Sequence, residues 1–217
     1  QSDGTLNDPL EGLNRHVFAF NDAVDTMLIR PAAFVYREAT PRPIKGIIGN
    51  FLDHLTLPLT IIHDLLQGKP EQAQVAFGRL FLNTFVGVGG MFDIATPAGF
   101  PMHEEDMGQT LAVWGWRDSR YLVMPIFGPY TVRDFIGRGF YGYFHPVSFA
   151  VREYNNYIPL VVDLISLRAE LLPFQAELDA ANDPYVLVRD VWLQNREFRI
   201  YDGEPPQPDY DALLEEY

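Results

Sequence analysis

The side chains best suited to metal chemistry form one acidic run at residues 103–106, His-Glu-Glu-Asp. Imidazole and carboxylate groups are common metal ligands, so a metal-assisted hydrolase is one hypothesis for this run. Consecutive residues on one loop rarely all face a single ion, and we interpret the run as an acidic turn that caps a helix. His54 and His63 lie nine positions apart, which is not the spacing of ligands on adjacent helical turns.

Nucleophilic or phosphate-binding motifs are not recognisable. None of the four serines lies in a G-x-S-x-G elbow, and the absence of cysteine excludes thiolate catalysis and disulfides. The Gly-Val-Gly-Gly segment at 87–90 lacks the Lys and Ser/Thr of a phosphate loop, and we interpret it as a turn. Arg133 and Asp134 are neighbours that we interpret as a structural pair. The sequence therefore predicts a binding or structural protein without catalytic residues, cofactor or metal.

Composition narrows the class of protein further. The 217 residues are 47% hydrophobic and carry a net charge of −13, so disorder of the whole chain is excluded. With 16 Lys and Arg against 29 Asp and Glu, no basic face for nucleic acid is expected. The chain begins with Gln1 rather than Met, so we expect that an N-terminal piece such as a targeting segment is missing.

Apolar residues concentrate in four uncharged stretches, at 80–92, 107–116, 121–132 and 139–151. None reaches the roughly 20 residues that a membrane-spanning helix needs, and most contain Gly or Pro. Segments of this length are typical of a buried core or of interfacial positions. The pattern therefore predicts no transmembrane helix and leaves two readings, an ordinary aromatic core or a protein that lies within one leaflet.

Helix starts and stops are marked by prolines and glycines. We predict that Asp8 caps a helix with Pro9 in its first turn and Glu11 bonding back, ending near Arg30-Pro31. A second helix begins at 40–43, is kinked or broken at Pro58, and ends at Gln67-Gly68. A third runs from Pro70 to the glycines at 87–90. Gly128-Pro129 opens a fourth, whose glycines at 137, 139 and 142 permit close approach of another helix.

The remaining elements are two further helical regions and one extended piece. Residues 154–178 are predicted helical with a break near Pro173, and Asp183-Pro184 starts a helix to about Arg199. Residues 121–127 are the best strand candidate, paired in a hairpin with residues 111–116. The predicted fold class is mainly α.

Many short motifs follow one another in a recognisable order and spacing. They are Asp8-Pro9-Leu10-Glu11-Gly12-Leu13-Asn14-Arg15, Phe20-Asn21, Arg30-Pro31, Asn50-Phe51, Leu66-Gln67-Gly68, Arg79-Leu80-Phe81-Leu82-Asn83-Thr84, Gly87-Val88-Gly89-Gly90, Asp93-Ile94-Ala95, Gly108-Gln109-Thr110-Leu111, Trp114-Gly115, Pro125-Ile126-Phe127-Gly128, Arg133-Asp134, Arg168-Ala169-Glu170-Leu171-Leu172 and Asp183-Pro184-Tyr185. From Asp8 to about Asp202 the chain resembles the VacJ/MlaA family of outer-membrane phospholipid-transport lipoproteins.

The resemblance implies a fold and a function. It implies a ring-shaped helical body in the inner leaflet of the Gram-negative outer membrane, around a central amphipathic channel. Such proteins associate with trimeric porins, remove phospholipid from the outer leaflet, and pass it to a periplasmic lipid-binding carrier of the Mla pathway. The family is lipid-anchored through an N-terminal cysteine, which this chain does not contain, so anchoring is an expectation from the family alone.

We expect three regions along the chain. Residues 1–7 are a linker, residues 8–201 form a single helical domain, and residues 202–217 form an acidic tail with three prolines and six acids. The simplest interpretation of residues 202–217 is a solvated tail that aids solubility. The alternative is a segment that docks on a basic partner.

Low charge and closely spaced glycines single out two segments, residues 80–90 and 125–142, as membrane-embedded or channel-forming candidates for the lipid path. The candidate residues are Phe85, Val86, Gly87, Val88, Gly89, Gly90, Phe127, Tyr130, Phe135 and Phe140. Two alternatives besides the hydrolase stay open, a soluble periplasmic lipid carrier with a closed cavity and a porin-binding structural scaffold.

Overall fold

The computed structural model describes residues 8–144 and 157–206, with side chains up to residue 139 in the first range. Predictions for the linker 1–7, for residues 145–156 and for the tail from 207 onward lie outside the described residues, as do those for the side chain of Phe140 and for Gly142. The described part is mainly α, as predicted, with one two-stranded sheet.

The N-terminal helix is longer than predicted. Helix α1 (Glu11–Val24) continues through a π-helical turn (Asp25–Ile29) into α2 (Arg30–Ala39), so the predicted end near Arg30-Pro31 is wrong. In the π turn the N–H of Arg30 donates to the carbonyl of Asp25, five residues back. This shift in hydrogen-bond register accommodates Pro31, which has no N–H, near the start of α2.

The predicted cap at Asp8 is also wrong, although the helix starts within three residues of it. Leu10 occupies the N-cap position without a side-chain bond, and Glu11 pairs with Arg15 at 2.7 Å. The Asp8 carboxylate is buried instead, where it accepts from Asn14 Nδ2 at 2.8 Å and from the Tyr185 hydroxyl. Asp8 therefore serves a tertiary contact that takes precedence over local capping.

Helices α3 (Arg42–Leu66) and α4 (Pro70–Phe85) match the predicted starts and stops. Gly68, with a φ of 75°, ends α3 in the left-handed region that glycine favours. The break predicted at Pro58 is absent, because α3 runs continuously through it. Leu57 and Leu59 on either side are buried, and α3 packs along α4, so tertiary packing offsets the hydrogen bond that proline cannot make.

The hairpin pairs differently from the prediction. Strand β1 (Tyr121–Met124) pairs antiparallel with β2 (Gly128–Thr131), with Tyr121 opposite Thr131, whereas residues 107–113 form helix α5 (Met107–Val113). Gly128-Pro129 therefore opens a strand and not a helix, and α6 (Val132–Phe144) follows it. Positive φ values of 69° at Ile126 and 81° at Gly128 turn the chain back on itself.

Three helical segments complete the described chain. They are α7 (Ile158–Leu171), followed by a 3₁₀ turn (Leu172–Phe174), α8 (Gln175–Ala180) and α9 (Pro184–Ile200). The irregularity predicted near Pro173 is confirmed as this 3₁₀ turn. Asp183 caps α9 as predicted, since its carboxylate accepts the N–H of Val186 at 3.2 Å.

Packing brings these elements into a closed series of neighbours. Along the series α1 contacts β1, β1 pairs with β2, β2 contacts α6, α6 packs on α5, α5 on α3, α3 on α7, and α7 on α2, which continues α1. A small aromatic core lies where α1, the hairpin and α9 meet, with buried Tyr121, Val123 and Tyr185. No helix in the described ranges is both long enough and apolar enough to cross a membrane.

Candidate functional site

The distribution of polarity is inverted relative to a domain that folds in water. Among the described residues 36 large hydrophobic side chains are exposed, while Arg133, Gln109, Asn14 and Asp64 are among the largest fully buried ones. Apolar patches of this extent mark surfaces that meet lipid or another protein. The outer surface is therefore the first candidate functional feature.

Helix α4 shows the inversion most clearly. Phe77, Phe81 and Phe85 repeat every four residues on one face and are 59%, 53% and 72% exposed. The opposite face buries Arg79 and Asn83, which are 4% exposed each. An amphipathic helix with its aromatic face outward and its polar face inward is suited to an apolar surrounding.

The glycine-rich segment predicted for the lipid path extends this apolar face. Val86 and Val88 are 58% and 60% exposed, whereas Gly87 and Gly90 are buried. Val88 has a φ of 55°, an uncommon conformation for a β-branched residue, and Gly89, which is exposed, follows with 68°. The turn thus presents two valines on its outside.

A buried polar cluster fixes the base of this turn. Asn83 Oδ1 accepts the N–H groups of Ile94 and Ala95 at 2.9 and 3.0 Å, and its Nδ2 donates to Asp93. Arg79 donates to Asp93 at 3.2 Å. Burial opposes ionisation of Asp93, but the hydrogen bonds from Thr96 and Asn83, with the charge of Arg79, lower its pKa to about 2. These hydrogen bonds and the ion pair of Arg79 with Asp93 therefore fix the chain on both sides of the turn.

The second group of candidates lies on the hairpin and α6. Phe127 and Phe135 are 52% and 41% exposed, and Tyr130 is half-buried. The Arg138 guanidinium lies 4.8 Å from the centre of the Phe127 ring and also bonds the Tyr130 hydroxyl. The two predicted segments therefore lie on different elements, and each contributes exposed aromatic or aliphatic side chains.

A second polar cluster ties α9 to α5 and α6. Arg196 donates to both oxygens of Asp106 at 2.7 Å and to Asp134 at 2.7 Å. Asp106 also caps α5 by accepting the Gln109 N–H, which confirms the predicted acidic turn. Burial opposes ionisation of Asp106, yet Arg196 lowers its pKa to about 2. Arg133 bonds Asp134 at 3.3 Å, which confirms the predicted structural pair.

Sequence reasoning did not identify Arg196. A signal was present, because Tyr185, Arg189, Trp192 and Arg196 recur at helical spacing on one face of α9, and two of them are charged. The rest of the acidic run is structural too, since His103 Nε2 lies 2.9 Å from Asp64 Oδ2. In the described part of the chain no three His, Asp or Glu side chains are arranged to hold a metal ion.

A cavity of about 410 Å³ opens beside this second cluster. Its charged lining residues are Arg117, Asp118, Arg133, Arg196 and Glu197. None of the nine predicted lipid-path residues whose side chains the structure describes contributes to it. The cavity is therefore a separate polar feature that the sequence did not indicate.

Comparison with known proteins gives consistent matches over most of the chain. The family model described as MlaA lipoprotein matches residues 6–199. A protein of Escherichia coli called intermembrane phospholipid transport system lipoprotein MlaA is 34% identical over 211 residues, 95% of this chain and 84% of that protein. The Haemophilus influenzae protein of the same name is 30% identical over 202 residues, 91% of this chain and 81% of that protein.

The fold is also similar to a solved one. A structure reported as "Structural basis for maintenance of bacterial outer membrane lipid asymmetry" aligns with a TM-score of 0.79 at 33% identity. The alignment covers 89% of this chain and 98% of that chain. The two folds are therefore alike over most of the length of both chains.

Proposed function

The chain belongs to the MlaA lipoprotein family, and from this membership and the inverted polarity we propose that it transports phospholipid at the Gram-negative outer membrane. In this proposal it lies in the inner leaflet, takes up phospholipid that has reached the outer leaflet, and passes it to a periplasmic lipid-binding carrier. This retrograde transport maintains lipid asymmetry. The family's named relatives are transport lipoproteins and the chain is not an enzyme.

The exposed apolar surface carries this proposal. Bringing two acyl chains of about 16 carbons through water, at about 0.8 kcal/mol per CH₂, would cost on the order of 25 kcal/mol. A protein that starts within the leaflet avoids most of this cost, because the chains never leave an apolar surrounding. The outward Phe77, Phe81 and Phe85 of α4 suit that location.

A ring with a central amphipathic channel is the architecture that we propose. The closed series of neighbouring elements supports it, because elements that contact one another in a closed series can surround a central space. Asp53 on α3 and Asp163 on α7 support a polar interior. Both side chains are exposed to solvent, yet desolvation by the surrounding protein atoms raises the pKa of both carboxyls. Both are also repelled by Glu104 from the segment before α5.

We propose that the two segments singled out by sequence contact lipid. The proposed residues are Phe85, Val86, Gly87, Val88, Gly89, Gly90, Phe127, Tyr130, Phe135 and Phe140. Exposure of Phe85, Val86 and Val88 supports the first segment, and exposure of Phe127 and Phe135 supports the second. Partners in the proposal are phospholipid, a trimeric porin and the periplasmic carrier.

The competing hypothesis of a soluble carrier with a closed cavity is less well supported. A carrier needs an apolar cavity for both acyl chains, whereas the cavity of about 410 Å³ in the described residues is lined by five charged side chains. A scaffold that binds porin without handling lipid predicts normal asymmetry after changes at the apolar segments.

Substitution of Val86 and Val88 by Arg tests the proposal. Placing Arg within a leaflet costs about 2 kcal/mol, or about a thirtyfold loss in membrane association. Vesicle co-flotation and a cellular assay of outer-leaflet phospholipid are the readouts. Gln194→Arg, on the exposed face of α9, is the matched control. Unchanged flotation and asymmetry in both valine variants would remove the proposed lipid contact.

A further inference from the structure

The cavity of about 410 Å³ has the size of a ligand site. It lies between α5, the end of β2 and α9, and falls within the range of about 300–1,000 Å³ that is usual for small-molecule pockets. Ala112, Leu193 and Ile200 give it an apolar wall, and the rest of the lining is mostly polar. A polar or charged group attached to an apolar one fits this lining better than an acyl chain does.

Two charged side chains of opposite sign line the cavity without an ion-pair partner in the described residues. Arg117 and Glu197 both line it and both are exposed. Neither side chain forms an ion pair or hydrogen bond with another residue in the ranges that the structure describes. Asp118 also lines the cavity and already has an interaction partner. Arg117 and Glu197 therefore remain available to a ligand.

The wall behind these two residues is held rigidly by buried guanidinium groups. Arg133, 2% exposed, donates from Nη1 to the carbonyls of Trp116 and Arg117 at 2.9 and 3.1 Å, which fixes the loop that carries Arg117. Arg196 is 8% exposed and also lines the cavity, and its Nη atoms are bound to carboxylates. Its Nε–H is buried and has no partner among the described residues. An unpaired buried donor is costly unless a ligand or water accepts from it.

The balance of charge indicates a zwitterion. Asp134 and Asp106 neutralise Arg133 and Arg196, so Arg117 and Glu197 are the two lining charges of opposite sign that a ligand can pair with. A purely anionic ligand would gain from Arg117 and be repelled by Glu197. A ligand with a phosphate at one end and an ammonium at the other matches both charges.

We propose that this cavity binds the zwitterionic phosphoethanolamine headgroup of a phospholipid, with the phosphate toward Arg117 and Arg196 and the ammonium toward Glu197. The inference rests on the proposed function for the source of the headgroup, and it adds a headgroup preference to it. Net-anionic phosphatidylglycerol is disfavoured at the same site, because it offers no cation to Glu197.

Calorimetry on the full chain with soluble probes tests the site. We expect dihexanoyl phosphatidylethanolamine and glycerophosphoethanolamine to bind, and glycerol phosphate to bind at least tenfold more weakly than glycerophosphoethanolamine. Arg117→Gln weakens all three probes about tenfold. Glu197→Gln weakens only the two that carry an amine. Arg120→Gln, an exposed arginine three positions along that does not line the cavity, leaves all affinities unchanged.

Equal affinity for glycerophosphoethanolamine and glycerol phosphate would overturn the inference, as would equal behaviour of the Arg117 and Arg120 variants, or no binding of any probe. Stronger binding of glycerophosphoethanolamine than of the lipid would identify a soluble headgroup as the ligand and also contradict it. Transfer of whole lipid between vesicles separates this result from the proposed function. Transfer that does not distinguish phosphatidylethanolamine from phosphatidylglycerol, in a chain that binds no probe, refutes the headgroup site alone.

Discussion

The side chain of Asn14 completes the hydrogen bonding of Val123, 109 positions away in sequence. Asn14 Oδ1 accepts the Val123 N–H at 2.9 Å, and its Nδ2 donates to the Tyr121 carbonyl at 3.3 Å. Asn21, two helical turns later, repeats this pattern on the Ile126 N–H and the Met124 carbonyl at 2.7 and 2.9 Å. Helix α1 thereby supplies the free edge of β1 with partners that a third strand would otherwise provide.

We expect Asn14→Ala to lower the free energy of unfolding by about 2–4 kcal/mol, because it leaves buried backbone groups of Tyr121 and Val123 unsatisfied. Denaturant unfolding in detergent measures the loss. Asn195→Ala, at an exposed position of α9, is the matched control and should change stability by less than about 0.5 kcal/mol. Equal effects of the two variants would mean that the edge contact contributes nothing.

The glycine turn gives a second prediction. A Cβ at Gly90 would lie 2.3 Å from His54 Cγ, and the φ of 87° is strained for alanine, so Gly90→Ala should cost about 2–4 kcal/mol. Gly46→Ala lies within α3 in open space and should stabilise the protein by about 0.5–1 kcal/mol. Thermal unfolding of both variants checks the opposite signs. An unchanged melting temperature in Gly90→Ala would contradict both the close approach of His54 and the strain expected at this φ.

Asp53 gives a prediction about pH. Its side chain is exposed, but desolvation by the surrounding protein atoms, with repulsion from Glu104 and Glu170, raises its pKa from 3.8 to about 6. The folded state therefore holds a proton that the unfolded state releases, and stability falls as pH rises from about 4 to about 6. Asp53→Asn should flatten this part of the profile of melting temperature against pH and raise stability at pH 7. Asp179→Asn, on α8, is the matched control for removal of one surface charge, and Asp53→Asn should differ from it between about pH 4 and 6.

The elements that sequence predicted well depend on local interactions. Asp183 caps α9 by accepting the N–H of Val186, three residues later. Gly68 ends α3 in a conformation with positive φ, which glycine adopts easily. The roles of Asp8 and Pro58 differ from the prediction because contacts with residues far away in sequence determine them. Asp8 is committed to Tyr185, 177 positions away, and Pro58 lies in a helix that packing against α4 keeps continuous. Such contacts leave no local pattern to detect.

In the candidate site, too, one part could be predicted from the sequence and another could not. Low charge and glycine spacing pointed to the exposed valines around Gly87, because surface polarity is visible in composition. The cavity beside Arg196 depends on α5, β2 and α9 meeting, and Arg117 and Glu197 lie 80 positions apart. No spacing rule joins residues that far apart, so only the folded structure brings this site together.

Lipid transfer is the most direct test of the central claim that the protein passes phospholipid from a membrane to a carrier. Vesicles that contain fluorescent phospholipid and the embedded protein are mixed with a periplasmic lipid-binding carrier, and lipid appearing on the carrier is followed over time. The account predicts transfer well above that of protein-free vesicles, and its loss in Val88→Arg but not in Gln194→Arg. Transfer no faster than from protein-free vesicles, with the protein folded and membrane-bound, would contradict it.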